Sequence, residues 1–200
     1  MNENSIPVLL LTGYLGSGKT TLLNRILTNR RGIRFAVIVN DIGEVNIDAT
    51  LIQKGGVVAQ KDDSLIALQN GCICCSLKMD LVEQLRDLCA ANTFDYIVIE
   101  ASGICEPAPI AQTICSYRQM VPATSSTLQG GQRGASIPKL DAVVTVVDAL
   151  RMRDEFVEQL SPMTNSQLPI AKAEDLSSLV IEQIEFCNLI LLNKVSMVSA

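Results

Sequence analysis

The sequence predicts an α/β fold in which helices cover both faces of a mainly parallel sheet. Apolar runs rich in β-branched residues alternate along the chain with segments of helical period. These runs are nearly continuous instead of alternating with polar residues, which is typical of strands buried on both faces. The 200 residues are 48% hydrophobic, so we expect one domain over residues 1–200, built around a single core.

The individual strands and helices follow from local runs of apolar residues. Five short runs predict strands at 6–12, 34–40, 94–101, 140–148 and 188–193. Two helices have a clear apolar face, formed by Leu22, Leu23, Ile26 and Leu27 before Gly32, and by Leu77, Leu81, Leu85 and Leu88 after a cap at Ser76. Three further helices are expected at about 107–117, 149–160 and 173–186.

One segment interrupts the alternation of strands and helices. Residues 122–138, PATSSTLQGGQRGASIP, are dominated by Gly, Ser, Thr and Gln. Such a composition buries too little apolar surface to offset the entropy lost on ordering. We therefore expect a mobile surface loop there.

The charge and hydropathy of the chain exclude several classes of function. The formal net charge is −5 and the pI is about 4.8, and no window carries a stripe of Lys and Arg, so binding to nucleic acid or to an anionic membrane is not expected. No apolar run approaches the roughly 20 residues that span a bilayer, and the start MNENSIPVLL has no basic region before its apolar residues. The sequence therefore predicts a cytoplasmic protein.

The seven cysteines and the absence of histidine narrow the chemistry of any metal site. Disulfides are rare in a reducing compartment, so an odd number of cysteines indicates metal binding, redox chemistry or ordinary burial. Without histidine, the ligands left for a metal ion are thiolates and carboxylates.

The most specific motif is GYLGSGKTT at 13–21, between the first predicted strand and the first predicted helix. It fits G-x-x-x-x-G-K-[ST], in which glycines let backbone N–H groups and the helix N-terminus surround phosphate oxygens. Lys19 would reach the outer phosphates, and the Thr20 hydroxyl would bind Mg²⁺. The alternative is a glycine turn before an ordinary helix. The candidate nucleotide-binding residues are Gly13, Gly16, Ser17, Gly18, Lys19, Thr20 and Thr21.

Two acidic segments are candidates for sensing the terminal phosphate of a nucleotide. In IEASG, Glu100 ends a predicted strand and Gly103 follows three residues later, which resembles the D-x-x-G pattern of GTPase switches. There a carboxylate orients Mg²⁺ or water, and the glycine N–H meets the γ-phosphate. Asp41 and Glu44, in NDIGEVNID after the second strand, are candidates for positioning Mg²⁺ or water. The alternative for both segments is a solvated carboxylate. The candidate catalytic residues are Lys19, Glu100 and Asp41.

The segment LLNKVS, at the end of the last predicted strand, resembles the guanine-reading motif N-K-x-D. Asn193 and Lys194 match it, but Ser196 occupies the position of the aspartate. A neutral hydroxyl cannot reproduce the two hydrogen bonds that a carboxylate accepts from guanine, each worth about 1.5–3 kcal/mol. The sequence predicts a preference for GTP through Asn193 and Lys194, with a narrower margin over ATP than an aspartate would provide.

Together these motifs resemble the CobW-like family of P-loop GTPases and metallochaperones. The resemblance covers almost the whole chain and rests on GYLGSGKTT, NDIGEVNID, NGCICCSLKMDL, IEASGICEP, LDAVVTVVDA and QIEFCNLILLNKVS, in the family's order. It implies a three-layer P-loop fold, hydrolysis of GTP with Mg²⁺, and delivery of Zn²⁺ or Co²⁺ to a client metalloenzyme. It also implies that Cys72, Cys74 and Cys75 are the metal ligands, and a homodimer is a further expectation.

Three features depart from the pattern of that family. Ser196 replaces an aspartate, a histidine-rich tract is missing, and the sequence stops at MVSA without the usual C-terminal domain. The last feature predicts an excised GTPase domain or a truncated form, and it leaves the binding of a client open.

The cysteines of NGCICCSLKMDL also have a physical reason to bind metal. Neighbouring side chains in one turn point in different directions, so the thiols of Cys72, Cys74 and Cys75 cannot all fill the core. If they converged on one soft cation, the fourth position would stay open, which suits transfer to an incoming ligand. The cluster lies in sequence between the two candidate switch segments, so the nucleotide state could reshape it. The alternative is a buried or redox-labile turn.

The other four cysteines are expected to have plainer roles. Cys89 and Cys115 fall on apolar helix faces and Cys187 begins a strand, so these three are predicted to pack in the core. Cys105 lies just after Gly103 and is a candidate for an occasional fourth metal ligand.

Two other classes of function remain open on the sequence. A P-loop small-molecule kinase would transfer phosphate to an added acceptor, with incidental thiols and no dependence on a transition metal. A passive metal-binding module with weak nucleotide binding would bind metal without measurable hydrolysis.

Overall fold

The protein, described here by a computed structural model, is built on one six-stranded sheet. The described residues are 5–28, 31–40, 65–68, 76–121, 136–160 and 170–198. The strands are β1 (Ser5–Thr12), β2 (Phe35–Asn40), β3 (Leu65–Leu68), β4 (Tyr96–Ala101), β5 (Ile137–Asp148) and β6 (Leu189–Asn193). Their order across the sheet is β3-β2-β4-β1-β5-β6, and every neighbouring pair is parallel.

Helices follow most of the strands and confirm the predicted α/β class. They are α1 (Lys19–Leu27), α2 (Ser76–Ala91), α3 (Pro107–Cys115), α4 (Tyr117–Met120), α5 (Ala149–Leu160) and α6 (Ile170–Phe186), with a 3-10 turn at Val195–Met197. The five predicted helices are all present, and the one expected at 107–117 is divided between α3 and α4. Within the described segments, every helix is too short or too polar to cross a membrane.

The strands differ from the prediction at two places. β3 was not predicted, because its four residues, LIAL, are too few to show a periodic pattern. β5 begins at Ile137, inside the predicted loop 122–138, because its first residues pair with the start of β1, with Ile137 beside Ser5. Residues 122–135 of that loop lie outside the described segments.

The two faces of the sheet carry separate apolar clusters, which makes the fold three-layered. One cluster contains Leu81, Leu85 and Leu88 of α2 and the apolar residues of α3, packed on β1, β2 and β4. The other contains Leu23 of α1, which is completely buried against the opposite face. The predicted apolar faces therefore face the sheet at Leu22, Leu23 and Leu27 of α1 and at Leu81, Leu85 and Leu88 of α2. The side chain of Leu77 lies outside the described part of α2.

The strand register brings several polar residues to one edge of the sheet. β1 lies between β4 and β5, with Leu11 beside Glu100 of β4 and Thr12 beside Thr145 of β5. The carboxyl ends of parallel strands meet at a single edge, and ligands of open α/β sheets bind there, at the point where the strand order reverses. The loop that follows β1 starts at that point.

Of the cysteines predicted to pack in the core, Cys89 confirms the prediction and Cys115 contradicts it. Cys89 is 1% exposed on α2, and burial raises the pKa of its thiol to about 12, so it stays protonated and unreactive at neutral pH. Cys105, the candidate for an occasional fourth metal ligand, is also 1% exposed and belongs to the same apolar cluster, and its role as a ligand stays a prediction. Cys115 is exposed instead of packed, because its neighbour Ile114 faces the core and adjacent helical side chains point about 100° apart.

Cys187 precedes β6 and is half-buried, so it packs less completely than predicted. Its thiol donates a hydrogen bond to the carbonyl oxygen of Ile184 at 3.1 Å. This contact ties the end of α6 to the start of β6.

Candidate functional site

The loop between β1 and α1 has the backbone that its glycines predict. Gly13, Gly16 and Gly18 all have positive φ angles, of 135°, 74° and 108°. A Cβ atom at Gly18 would also meet Nδ2 of Asn193, whose side chain would then have to move. The loop is therefore shaped both by its own dihedral angles and by the end of β6 that lies against it.

Lys19 lies beneath this loop and is only 7% exposed. Its Nζ donates hydrogen bonds to the carbonyl oxygens of Gly13, at 2.8 Å, and Tyr14, at 3.2 Å. A buried ammonium group is stable only when it is paired or hydrogen-bonded. The fold therefore holds one positive charge at the carboxyl end of β1, against the backbone that curls around it.

Thr20 and Glu100 form a hydrogen-bonded pair beside the loop. The hydroxyl of Thr20 donates to Oε1 of Glu100 at 3.0 Å, and Glu100 is 2% exposed. The alternative of a solvated carboxylate is therefore wrong for Glu100. A hydroxyl and a carboxylate at the same point are oxygen ligands of the type that Mg²⁺ prefers, so the donor set fits that ion.

Gly103 lies in a turn that packs directly on the loop after β1. The backbone N–H of Cys105 donates to the carbonyl oxygen of Ser102 at 3.1 Å, which closes the turn. A Cβ atom at position 103 would lie 2.5 Å from the backbone nitrogen of Leu15. Only glycine permits this approach, so the turn lies in direct contact with the loop.

The end of β6 reaches the same loop from the other side. Nδ2 of Asn193 donates to the carbonyl oxygen of Ser17 at 2.8 Å. Lys194 has a left-handed backbone, with φ of 57°, and its Nζ donates to Oδ2 of Asp148 at 2.5 Å. Ser196 lies in the 3-10 turn and is exposed.

Asp148 is a member of the site that the sequence analysis missed. Its Oδ1 accepts hydrogen bonds from the backbone N–H groups of Leu150, at 3.1 Å, and Arg151, at 3.3 Å, which caps α5. Burial alone would raise the pKa of this carboxyl group, but the bonds from Lys194 and the two N–H groups outweigh it and lower the pKa. The sequence feature that could have identified Asp148 is an acidic residue at the end of an apolar strand, similar to Glu100 near the end of β4.

The remaining candidate residues are distributed unevenly. Ser17 is completely buried and Thr21 is exposed on α1. In the part of the chain that the structure describes, Cys, Asp and Glu nowhere form a group of three able to hold a metal ion. The other candidates lie outside the described residues, and they are Asp41, Glu44, Cys72, Cys74 and Cys75.

Comparison with known proteins identifies relatives along nearly the whole chain. A family model described as the CobW/HypB/UreG nucleotide-binding domain matches residues 7–200. The zinc-regulated GTPase metalloprotein activator 1 of Dictyostelium discoideum is 38% identical over 202 residues, which cover 97% of this chain and 41% of that protein. The zinc chaperone YjiA of Escherichia coli is 37% identical over 176 residues, covering 86% of this chain and 48% of that protein.

A solved structure gives the same picture for the fold. The zinc-bound crystal structure of a triple mutant of the YjiA GTPase matches with a TM-score of 0.56 and 28% identity. The match covers 97% of this chain and 51% of that chain. The chain thus spans about half the length of the relatives it matches.

Proposed function

The chain belongs to the CobW/HypB/UreG family of nucleotide-binding domains, and on that premise we propose that it hydrolyses GTP and couples this to zinc binding and delivery. The observation that supports the proposal best is the convergence of three segments on one loop. The Gly103 turn and Asn193 lie against residues 13–18, and Glu100 accepts a hydrogen bond from Thr20, two residues after that loop. Such convergence lets a single bound nucleotide contact all of them.

Each segment has a distinct task in the proposed reaction. The N–H groups of residues 13–18 and the ammonium of Lys19 bind the phosphates, and Lys19 exchanges its carbonyl partners for phosphate oxygens. Thr20 and Glu100 would hold Mg²⁺, which supplies positive charge to the phosphate oxygens when bound. Gly103 brings its turn to the terminal phosphate, and Asp41 positions the attacking water.

Asn193 and Lys194 recognise the guanine base in this proposal. Ser196 makes that recognition weaker than an aspartate would. Asp148 does not substitute for the missing carboxylate, because Oδ1 caps α5 and Oδ2 is paired with Lys194. What Asp148 does is fix the position of the Lys194 ammonium group. GTP is therefore preferred over ATP by a moderate margin.

Replacing Ser196 by aspartate should widen that margin. The new carboxylate would accept hydrogen bonds from guanine that adenine cannot donate, so we expect the GTP/ATP affinity ratio to rise about tenfold, the equivalent of one charged hydrogen bond. The measurement is competition of GTP and ATP for the site. Ser196→Asn, which has the size of aspartate without its charge, is the control and should leave the ratio near its original value. An equal ratio in all three proteins would mean that another segment reads the base.

Zinc is the cargo in this proposal, and the cysteines at 72, 74 and 75 are its ligands. Support comes from the named relatives, which are a zinc-regulated GTPase metalloprotein activator and zinc chaperones. Thiolates are the soft ligands that zinc accepts, and three of them leave a fourth position open to the receiving protein. Co²⁺ is a second candidate metal, and a client metalloenzyme and a second copy of the chain are the proposed protein partners.

Coupling between the zinc site and the nucleotide site is tested by titrating zinc into the protein with a GTP analogue bound and with GDP bound. Because linkage is reciprocal, a change in zinc affinity on GTP binding requires the same change in GTP affinity on zinc binding. We expect zinc to bind more tightly with a slowly hydrolysed GTP analogue than with GDP, by about 5–150-fold. Calorimetric titration of Zn²⁺ and of Co²⁺ into the reduced protein measures both constants. Equal zinc dissociation constants in the two states would leave a GTPase that binds zinc without coupling.

A further inference from the structure

Gln183 of α6 is a buried polar residue to which neither the sequence motifs nor the proposed reaction assigns a role. Its side chain is 1% exposed, which makes it one of the largest fully buried side chains among the described residues. Burying a carboxamide is costly unless its polar atoms are hydrogen-bonded. Its partners therefore indicate what the residue does.

The carboxamide of Gln183 holds the turn that carries Gly103. Its Nε2 donates to the carbonyl oxygen of Cys105 at 3.0 Å and, less closely, to that of Gly103 at 3.4 Å. On its opposite side the same turn lies against Leu15, because Gly103 has no Cβ atom. The turn is thus held between Gln183 and the phosphate-binding loop.

The backbone beneath Gln183 is fixed to the sheet. The hydroxyl of Thr145, in β5, donates to the carbonyl oxygen of Gln183 at 2.8 Å. Five residues later, Asn188 exchanges two hydrogen bonds with Val143, also in β5, both at 2.9 Å. The carboxamide therefore projects from a rigid base, and a rigid base is what precise positioning of a reacting group requires.

The oxygen of the same carboxamide contributes little to stability. Oε1 of Gln183 is buried and has no hydrogen-bond partner among the described residues. A buried amide with an unsatisfied oxygen stabilises a fold poorly in comparison with an apolar side chain of the same size. The advantage of glutamine at this position lies in what its nitrogen holds.

We propose that Gln183 is a positioning residue for GTP hydrolysis, which sets the position of the Gly103 turn against the phosphate-binding loop. The inference rests on the proposed function, because it assumes that this turn meets the terminal phosphate of GTP. Without the carboxamide, the turn loses the hydrogen bonds to the carbonyl oxygens of Gly103 and Cys105, and the Gly103 N–H group is displaced from the terminal phosphate. Binding of GDP, which has no terminal phosphate, does not depend on the turn.

The test replaces Gln183 by methionine, which keeps the length and bulk of the side chain but cannot donate. We expect kcat to fall by about tenfold to 100-fold, since small displacements of a reacting group have effects of this size. The affinity for GDP should stay within about twofold, while the preference for GTPγS over GDP shrinks. A time course of phosphate release measures kcat, and competition binding measures the affinities for GDP and GTPγS.

The matched control is Thr113→Val, which removes the hydrogen bond from the hydroxyl of the buried Thr113 to the carbonyl oxygen of Pro109 in α3 and involves neither Gln183 nor the turn. It should lower the melting temperature by a few degrees and leave kcat within about twofold. If kcat of the control variant fell as far as that of Gln183→Met, the effect would be one of general packing, and the inference would be overturned. A wild-type kcat in Gln183→Met would overturn it as well. Absence of GTP hydrolysis by the wild-type chain would instead refute the proposed function.

A measurement on the wild-type chain decides the matter if Gln183→Met does not fold. Hydrogen exchange is compared with GTPγS and with GDP bound. Because Gln183 joins the turn to α6, protection at residues 103–105 and at residues 183–187 should rise together with GTPγS. Protection that rises at the turn alone would overturn the inference.

Discussion

Replacing Lys19 by alanine is expected to abolish GTP hydrolysis and tight binding of Mg²⁺-GTP. The ammonium group is a buried positive charge that the fold holds beneath residues 13–18, through the carbonyl oxygens of Gly13 and Tyr14. Each charged hydrogen bond lost to a phosphate oxygen costs about 1.5–3 kcal/mol. Two such bonds correspond to a loss of affinity of at least about 100-fold.

The measurements are calorimetric titration of Mg²⁺-GTP and phosphate release at saturating GTP. Lys78→Ala is the matched control, because Lys78 is exposed on α2 and its loss changes the net charge by the same amount. Circular dichroism checks that Lys19→Ala stays folded, since its two carbonyl partners lose their donor. GTP affinity unchanged in Lys19→Ala would refute the assignment of the phosphate site.

Replacing Cys74 by serine should weaken zinc binding by tenfold or more while GTP binding persists. A hydroxyl is a poor ligand for a soft cation, and a loss of about 1.4 kcal/mol already corresponds to tenfold in affinity. The residues proposed to bind the phosphates lie in other segments of the chain, so GTP affinity measured without zinc should be unchanged. Zinc affinity should also rise with pH, because thiols must lose a proton to bind metal and binding releases those protons.

Titration of zinc into the reduced protein, at two pH values, measures this effect. Cys115→Ser is the matched control, because it makes the same chemical change at an exposed thiol of α3. Zinc affinity should be equal in that variant and in the wild type. If Cys74→Ser also bound zinc with wild-type affinity, the metal site would lie elsewhere than at Cys72, Cys74 and Cys75.

The sequence predicted the fold more completely than the site. Buried parallel strands carry a strong local signal, since runs such as PVLLLT in β1 and YIVIE in β4 are nearly continuous in apolar residues. The short strand β3 and the first residues of β5 lacked that signal, because pairing with neighbours selects them. Cys115 was misplaced for a related reason: one residue along a helix decides between core and solvent.

Within the site, local motifs identified residues but not their partners. The glycine loop predicted the roles of Lys19 and Thr20, yet it could not indicate that Thr20 donates to Glu100, 80 positions away. Asp148 and Gln183 lie within the segments LDAVVTVVDA and QIEFCNLILLNKVS, but neither pattern assigns them a role. Their significance lies in the groups they touch, which are Lys194 in one case and the Gly103 turn in the other.

By itself, the sequence determined the α/β class, the approximate positions of the five longer strands and the glycine-rich turn at 13–18, because each depends on residues close together in the chain. Only the tertiary structure decided that Glu100 is buried, that Asn193 lies against the loop, and that Gln183 supports the Gly103 turn. The physical reason is that hydrogen bonds and burial depend on distances between atoms, and the parallel register of the sheet sets these distances. Glu100, Asp148 and Asn193 are far apart in sequence, and their strands end at the same edge.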